Sequence, residues 1–245
     1  MATSIPTGSA APLPSPRENR LLAALPDPDY QRLEADLEPV QLDAGHGLRH
    51  PHGALDRFYF VASGFVSQMY TTFDGHTGEI SLIGREGGVG VTLFLGDTPS
   101  PLEAIAQVPV AAWSLSRERL REEFARGEGL QDILLRFTQA LMTQMAQTVV
   151  CNRHHTVALQ LCRWILLSLD RLEGSELRMT QETIARMLGV RRAGVTEAAR
   201  ALQREGVIEY QRGVIRVPDR SALEERACEC YGVIRAEYDR LAESP

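Results

Sequence analysis

The segment from Leu188 to Tyr210, LGVRRAGVTEAARALQREGVIEY, constrains the fold more than any other part of the chain. It places two adjacent arginines after a glycine, followed by an Ala-rich amphipathic stretch that ends at another glycine. Upstream, Thr180 is a good N-cap for QETIARML, because a threonine hydroxyl accepts from the free N–H groups of a helix start. Gly189 permits the left-handed backbone of a sharp turn. Two helices joined by such a turn predict a helix-turn-helix.

The second predicted helix has a buried face and a polar face. The buried face is formed by Val195, Ala199 and Leu202, and the polar face carries Arg191, Arg192, Thr196, Glu197 and Arg200. Arginine binds two atoms of guanine, threonine contacts a base or a methyl group, and glutamate accepts from a cytosine amine. The pattern therefore predicts double-stranded DNA as a partner. The alternative is a pair of antiparallel helices whose basic face is merely solvated.

The sequence after this helix, VIEYQRGVIRV, alternates around a turn at Gln211-Arg212-Gly213. It predicts a β-hairpin wing, with Arg212 in reach of a phosphate. The chain carries a net charge of −6, yet residues 175–220 contain nine arginines against six acids. A basic segment within an acidic protein indicates a local binding surface for a polyanion. All 26 basic residues are arginine, which coding bias explains at least as well as function does.

The first half of the chain has a different character. From Val40 to about Leu115, short apolar runs such as RFYFVASG and EISLIG are separated by glycines, which predicts an antiparallel roll, barrel or sandwich. Two short helices precede it. Residues 1–17 are rich in proline, serine and alanine and predict a disordered tail rather than a signal peptide. No run approaches the roughly 18 to 20 apolar residues of a membrane span, so the cytoplasm is the expected compartment, with no membrane partner.

A long helix is predicted from about Glu128 to Asn152. Its apolar stripe consists of Leu130, Leu134, Phe137, Leu141, Met145 and Val149. A helix of this length reaches nearly 40 Å at a rise of about 1.5 Å per residue, which is longer than one small domain needs. The stripe is therefore expected to pair with a second copy of the chain. The alternative is that it packs on its own roll.

Taken together, these motifs resemble the Crp/Fnr superfamily of bacterial transcription regulators. The resemblance rests on MTQETIARMLGVRRAGVTEAARALQREGVI, on VVCNRHHTVALQLCRWILLSLDRL, and on LDRFYFVASGFVSQMY with GREGGVG, and it covers roughly residues 18–241. It implies an α+β fold: an N-terminal antiparallel β-roll (a cyclic-nucleotide-binding-like jelly roll), a long dimerisation helix and a C-terminal winged helix-turn-helix. The implied boundaries are 18–127 for the sensor domain, 128–153 for the dimerisation helix and hinge, and 154–245 for the DNA-binding domain with its C-terminal helix.

The resemblance also implies which residues contact DNA. The family's recognition-helix contacts fall on Arg191, Arg192, Thr196 and Glu197. With the helix starts and the wing, the expected DNA-binding set is Thr180, Gln181, Arg191, Arg192, Thr196, Glu197, Arg200 and Arg212. The implied protein is a homodimer on an inverted-repeat site, which contacts RNA polymerase if it is an activator.

The resemblance also implies a ligand pocket in the roll, but the residues of this chain at the pocket positions differ from those of members that bind cyclic AMP. Members that bind cyclic AMP use a Gly-Glu pair for the ribose and an Arg-Ser/Thr pair for the phosphate. Here the first pair is Gly90-Val91, and the second falls in PSPLE with no arginine. The degenerate pocket is then Gly90, Val91, Ser100, Leu102 and Glu103. Without a cation for the phosphate, cyclic AMP is not expected to bind, and an unknown small effector takes its place.

Two histidine and cysteine motifs suggest other chemistry. His50-Pro51-His52 with Asp56 faintly resembles a cupin metal motif, which would make the roll a metal-dependent enzyme. No second histidine motif follows, and Pro51 favours an exposed turn, so we expect no catalytic residues, metal or cofactor. An iron–sulfur cluster on N-terminal cysteines is not expected either, because no cysteine precedes Cys151.

The remaining cysteines lie near the hinge and near the C-terminus. Cys151, His154, His155 and Cys162 suggest a zinc or thiol sensor at the hinge, or merely the end of one helix and the start of the next. Cys228 and Cys230 fall in one predicted amphipathic helix. There they would point about 200° apart and could not chelate a metal together. The docking stripe of that helix is predicted to be Leu223, Ala227, Cys230, Ile234 and Leu241.

Overall fold

The computed structural model describes residues 13–51, 53–96 and 100–242. Its N-terminal part is an antiparallel roll. The strands are β1 (Glu38–Leu42), β2 (Gly47–Arg49), β3 (Arg57–Ser63), β4 (Val66–Thr71), β5 (Thr77–Ile83), β6 (Gly88–Val89), β7 (Leu102–Ala106) and β8 (Val110–Ser116). They form two four-stranded sheets, in the orders β1-β8-β3-β6 and β2-β7-β4-β5. Phe58, Phe60 and Phe65 are fully buried between them, so the glycine-separated apolar runs are the strands of the predicted roll.

Short helices surround the roll. They are α1 (Arg20–Ala23), α2 (Asp27–Glu34), α3 (Thr92–Leu95) and α4 (Arg117–Ala125). Asn19 caps α1 by accepting from two backbone N–H groups, and its amide donates to the carbonyls of Val61 and Gly87 at 2.8 Å each. Residues 13–17, assigned to the tail by the sequence, also contact the roll, since the Trp113 indole donates to the Pro14 carbonyl at 3.0 Å. Residues 1–12 of that predicted tail lie outside the described residues.

The long helix α5 runs from Gly129 to His154, close to its predicted bounds. The predicted stripe, however, is mostly not free for a second chain. Leu130, Leu134, Phe137 and Leu141 are buried against the rest of their own chain. The large apolar side chains exposed on α5 are Val149, from the predicted stripe, and Leu135, Met142 and Val150, which lie off it. The sequence identified the apolar stripe correctly, but helical periodicity does not say which molecule covers a face, and the chain itself covers most of this one. Pairing of α5 with a second copy stays a prediction.

The C-terminal part is a winged helix-turn-helix. Its elements are α6 (Val157–Leu169), β9 (Glu176–Arg178), α7 (Gln181–Leu188), α8 (Arg192–Arg204), β10 (Glu209–Gln211), β11 (Val214–Arg216), α9 (Arg220–Glu225) and α10 (Glu229–Asp239). The three strands form a small antiparallel sheet in the order β10-β11-β9. Across the described ranges, no helix is both long enough and apolar enough to span a membrane.

The C-terminal segment is two helices rather than the single helix predicted. The chain leaves α9 at Arg226 and re-enters a helix at Glu229, with Cys228 in extended backbone. The predicted docking stripe still packs inward: Leu223, Cys230, Ile234 and Leu241 are buried, and Ala227 packs against the core.

The GREGGVG segment is where the roll, α5 and the DNA-binding domain meet. A Cβ on Gly87 would lie 2.3 Å from the Phe137 ring of α5, and one on Gly84 would lie 2.5 Å from the Arg171 side chain. Arg171 forms a buried ion pair with Glu86 of the same segment at 2.6 Å. Glycine is therefore required for close approach at these two positions.

Candidate nucleic-acid interface

Helix α7 is built as the sequence predicts. Thr180 is its N-cap and accepts from the Thr183 backbone N–H at 3.1 Å. Its inner face buries Ile184, Ala185, Met187 and Leu188. Gly189 ends the helix in the left-handed region, with φ 65° and ψ 32°. This turn fixes the angle at which the next helix leaves.

Helix α8 follows directly, with Arg191 in extended backbone at the N-cap position. It buries Val195, Ala198, Ala199 and Leu202, so that the predicted face packs on the domain core. Arg191, Arg192, Glu197 and Arg200 are exposed, and Thr196 is half-buried. The fold thus brings the predicted recognition residues together on one outward-facing side of α8.

A hydrogen bond joins the recognition helix to the start of α7. The Thr196 hydroxyl lies 2.6 Å from the Gln181 side-chain carbonyl and donates to it. Thr196 also lies 3.0 Å from the Arg192 carbonyl, the alternative acceptor. In the described part of the chain the Gln181 amide nitrogen has no partner, so its donors remain free for an external acceptor. The Thr180 hydroxyl, by contrast, is occupied as a cap.

Few of the positive charges on this surface are paired with acidic side chains. Among the described residues, no ion pair is formed by a set of six arginines on or beside the helix-turn-helix and wing: Arg178, Arg186, Arg191, Arg200, Arg204 and Arg212. Arg192 approaches Glu182 only at 4.0 Å. Unpaired guanidinium groups in this density attract a polyanion and are suited to bidentate contacts with phosphate or guanine.

The wing is a hairpin between β10 and β11, as predicted. Its two turn residues, Arg212 and Gly213, have φ of 50° and 76°. Positive φ at both central residues is typical of the two-residue turn whose twist matches that of the strands. Arginine is unfavourable there, and Arg212 is the one non-glycine residue with positive φ in the described ranges. The strained position holds an exposed cation at the tip of the wing.

The predicted effector-pocket residues lie in the roll. Gly90 has φ 131° and packs against Phe58, and Val91 precedes α3. Ser100 is buried and accepts from the Leu102 N–H at 3.3 Å, and Glu103 accepts from the Thr71 hydroxyl at 3.3 Å. Pro99, next to Ser100, lies outside the described residues.

One charged residue of the roll was missed by the sequence analysis. Arg49 on β2 is only 4% exposed, and its Nε donates to the Leu102 carbonyl at 2.8 Å. Its Nη2 is buried without a hydrogen-bond partner, and burial lowers the pKa of the guanidinium. The available sequence signal was a lone arginine in a strand next to apolar residues.

The cupin-like residues do not form a cluster in the described chain. His50 and Asp56 are both exposed, and Asp56 pairs with Arg117 at 3.3 Å. His52 lies outside the described residues. Across the described ranges, a single group of three or more histidine, cysteine or acidic side chains has metal-ligand spacing, and it contains neither residue.

That group consists of Cys151, His155, Cys228 and Cys230. The prediction that Cys228 and Cys230 cannot converge is wrong, because the 200° separation holds only inside a helix and Cys228 lies before one. The hydrogen bond between the Cys151 and Cys228 thiols lowers the pKa of Cys228, whereas burial raises the pKa of the Cys230 thiol. Of the predicted hinge cluster, His154 and Cys162 are not members.

Comparison with known proteins matches both halves of this architecture. Residues 39–126 match the family model of the cyclic nucleotide-binding domain, and residues 160–226 match that of the Crp-like helix-turn-helix domain. A roll joined in this way to a winged helix-turn-helix defines a class of two-domain, DNA-binding transcription regulators. The chain belongs to the Crp/Fnr family of that class.

Individual proteins share this architecture or part of this sequence. A CRP-like cAMP-activated global transcriptional regulator of Mycobacterium tuberculosis is 26% identical over 203 residues, covering 80% of this chain and 90% of that protein. The structure of FixK2 from Bradyrhizobium japonicum superposes with a TM-score of 0.64 at 16% identity, covering 78% of this chain and 98% of that one. A CRP/FNR-family transcriptional regulator of Thermus thermophilus superposes with a TM-score of 0.60 at 22% identity, with coverage of 78% and 98%.

Proposed function

We propose that this DNA-binding transcription regulator acts as a homodimer that reads an inverted-repeat operator through α8. The observation that carries the proposal is the outward face of α8, where exposed arginines surround the Thr196–Gln181 hydrogen bond. Of Arg191, Arg192 and Arg200, only Arg192 has an acidic partner among the described residues, Glu182 at 4.0 Å. A helix with such a face at its N-terminal end fits the major groove, which admits one α-helix.

The side chains divide into base-reading and phosphate-binding roles. Arg192 contacts a base directly, and Arg191 contacts a base or a phosphate. Thr196 and Glu197 tune which base is accepted, since one donates or accepts and the other only accepts. Thr180, Gln181 and Arg200 flank this set. Arg212, at the tip of the wing, binds a backbone phosphate.

Dimerisation uses the exposed face of α5, which shares only Val149 with the stripe predicted from sequence. Its exposed residues recur with alternating steps of four and three: Leu135, Gln139, Met142, Ala146 and Val149. This is the spacing of a two-stranded coiled coil, and a single polar residue in such a seam helps to fix its register. Met142 and Val149 are 66% and 67% exposed in the single chain, so that a second copy has a large apolar face to cover. Two-fold symmetry then sets the half-sites about one helical turn apart, roughly 34 Å.

We propose that the roll does not bind cyclic AMP. The mycobacterial relative, by contrast, is named as a cAMP-activated regulator. No carboxylate follows Gly90, and the second site carries Glu103, whose charge repels a phosphate. Arg49 lies nearby, with its Nε donating to the Leu102 carbonyl and its Nη2 buried without a hydrogen-bond partner. Titration calorimetry with cyclic AMP is expected to give no heat, and micromolar binding would contradict this part of the proposal.

The proposed setting is the cytoplasm, where the dimer contacts RNA polymerase if it activates transcription. The effector of the roll is an unidentified small molecule.

Selection of genomic DNA fragments on the purified full-length protein tests the proposal. We would use no added ligand and about 150 mM salt, where non-specific phosphate binding is weak. The expected result is an enriched inverted repeat with half-sites one turn apart. An enriched sequence without two-fold symmetry, or with symmetry at another spacing, contradicts the dimeric mode.

A further inference from the structure

The end of α5 and the start of α10 bring four metal-ligating side chains together. Cys151 lies in the last turn of α5 and His155 directly follows that helix. Cys228 precedes α10 and Cys230 is its second residue. The four ligand atoms all lie within 4.8 Å of one another, and the three cysteines are buried. Side chains 77 residues apart in sequence thus converge on one point.

The spacing fits a single tetrahedral ion. Bond lengths of about 2.3 Å for Zn–S and about 2.0–2.1 Å for Zn–N give tetrahedron edges of about 3.8 Å between two sulfurs and about 3.5 Å between sulfur and nitrogen. The sulfurs of Cys151 and Cys228 lie 3.6 Å apart, and the Cys230 sulfur lies 3.6 Å from Nδ1 of His155. We propose that these four residues bind one zinc ion as a closed Cys₃His site.

The surroundings of His155 support this assignment. Its Nδ1 faces the sulfurs, while its Nε2 lies 3.6 Å from the carboxylate of Glu229. Histidines that bind zinc commonly direct their other nitrogen to a carboxylate, which fixes the tautomer and the ring orientation. Glu229 therefore acts as a positioning residue for His155.

The charge around the site is also complementary. Arg163 on α6 is 3% exposed, its Nε has no hydrogen-bond partner, and the Thr148 hydroxyl lies 3.4 Å from its Nη1. This guanidinium is a buried positive charge within electrostatic reach of both Cys151 and the Glu79 carboxyl. Binding of Zn²⁺ by three thiolates and a neutral imidazole leaves one net negative charge. That charge would offset a buried cation which otherwise costs free energy.

The site has a mechanical consequence. It joins the last turn of the long helix to the C-terminal helix of the DNA-binding domain, on either side of the hinge at residue 155. Closed zinc sites contribute directly to folding free energy. Zinc would therefore hold α10 against α5 and limit the angles that the DNA-binding domain can adopt.

The decisive measurement is the metal and sulfide content of the untagged, full-length protein purified with a thiol reductant. The expected result is about one zinc per chain and no sulfide. Replacement of the bound zinc by Co²⁺ should give the intense visible absorption of a tetrahedral cobalt–thiolate complex. Protein that stays zinc-free after dialysis against zinc, that holds iron with sulfide, or that contains a Cys151–Cys228 disulfide overturns the proposal.

Variants localise the ion. Cys228→Ser and Cys230→Ser should each lower zinc retention after chelator treatment at least tenfold. His155→Cys should retain zinc, because it replaces one ligand with another. Cys162→Ser is the matched control, a buried thiol outside the group, and should retain zinc as the wild type does. Equal loss of zinc from Cys162→Ser would contradict the assigned ligands.

Discussion

The Trp164 indole of α6 donates its N–H to the carboxylate of Glu79 in the roll at 3.0 Å, across the interface between the two domains. The Ser67 hydroxyl donates to the other carboxylate oxygen. Glu79 is buried, and this burial raises the pKa of its carboxyl to about 7, against the opposing effect of its hydrogen bonds. The contact between roll and DNA-binding domain therefore contains an acid that titrates near neutral pH.

Substitution of Glu79 should change how stability depends on pH. Because the folded-state pKa is about 7 and the unfolded value is 4.5, the folded protein binds the proton more tightly. Stability is then highest below pH 4.5 and falls as the pH rises to 7, by about 3 kcal/mol for this group alone. Glu79→Gln should remove that loss, so urea denaturation at pH 8 should show a variant more stable than the wild type. Glu118→Gln, at an exposed position, should leave the pH profile unchanged.

The buried pair of Arg171 and Glu86 should be costly to break. The two groups approach at 2.6 Å and are almost fully buried. Removal of one partner leaves an uncompensated charge in the interior, which costs about 3–5 kcal/mol. Glu86→Gln should therefore lower the free energy of unfolding by that amount in urea denaturation. The exposed pair of Arg216 and Glu176 has the same 2.6 Å distance, and Glu176→Gln should cost at most about 1 kcal/mol.

Gly87 should not tolerate even a methyl group. Its Cβ would lie 2.3 Å from the Phe137 ring, which is itself fully buried, so the ring or α5 must move. Overpacking of this kind costs about 1–3 kcal/mol. Gly87→Ala should lower the thermal midpoint, whereas Gly78→Ala, where nothing lies within 4 Å of the added atom, should not. Similar midpoints for the two variants would contradict the close packing described for this segment.

An acidic residue in the proposed dimer seam should separate the two copies. Met142→Glu places two like charges opposite each other in a coiled coil, so sedimentation analysis should show monomers at concentrations where the wild type is dimeric. Val233→Glu is the control, because Val233 is an exposed apolar residue of α10, 38% accessible, that lies off this seam. A dimer that survives Met142→Glu but not Val233→Glu would move the interface to α10.

Local sequence patterns were sufficient to predict the helix-turn-helix. Thr180, Gly189 and the spacing of Val195, Ala199 and Leu202 act within a few residues of one another, and the structure confirms each of them. The same is true of the wing, whose turn is set by two adjacent residues. Within the helix-turn-helix and its wing, the one element that the sequence did not predict is β9, since three residues carry too little pattern to be identified as a strand.

The long-range contacts were not predictable in this way. The apolar stripe of α5 says that one face is covered, but not that other elements of the same chain, α10 among them, cover most of it. Cys228 and Cys230 converge with Cys151 because α9 ends at Glu225 and Cys228 lies before α10. A break between two amphipathic segments leaves the hydrophobic periodicity almost intact, so the sequence does not show it. Arg49 and Glu79 are buried charges in strands, whose partners come from distant parts of the chain.

The central claim is that α8 reads DNA sequence, and the most direct test is the affinity of Arg192→Ala for the selected operator and for single-base variants of it, measured by fluorescence anisotropy across a salt series. We predict a loss of about 1–3 kcal/mol on the operator, with relaxed discrimination at one base position and little change in salt slope. Arg235→Ala, on the exposed side of α10, should bind as the wild type does. Equal loss on every sequence, with a salt slope shallower by about one, would instead make Arg192 a phosphate contact and contradict the claim.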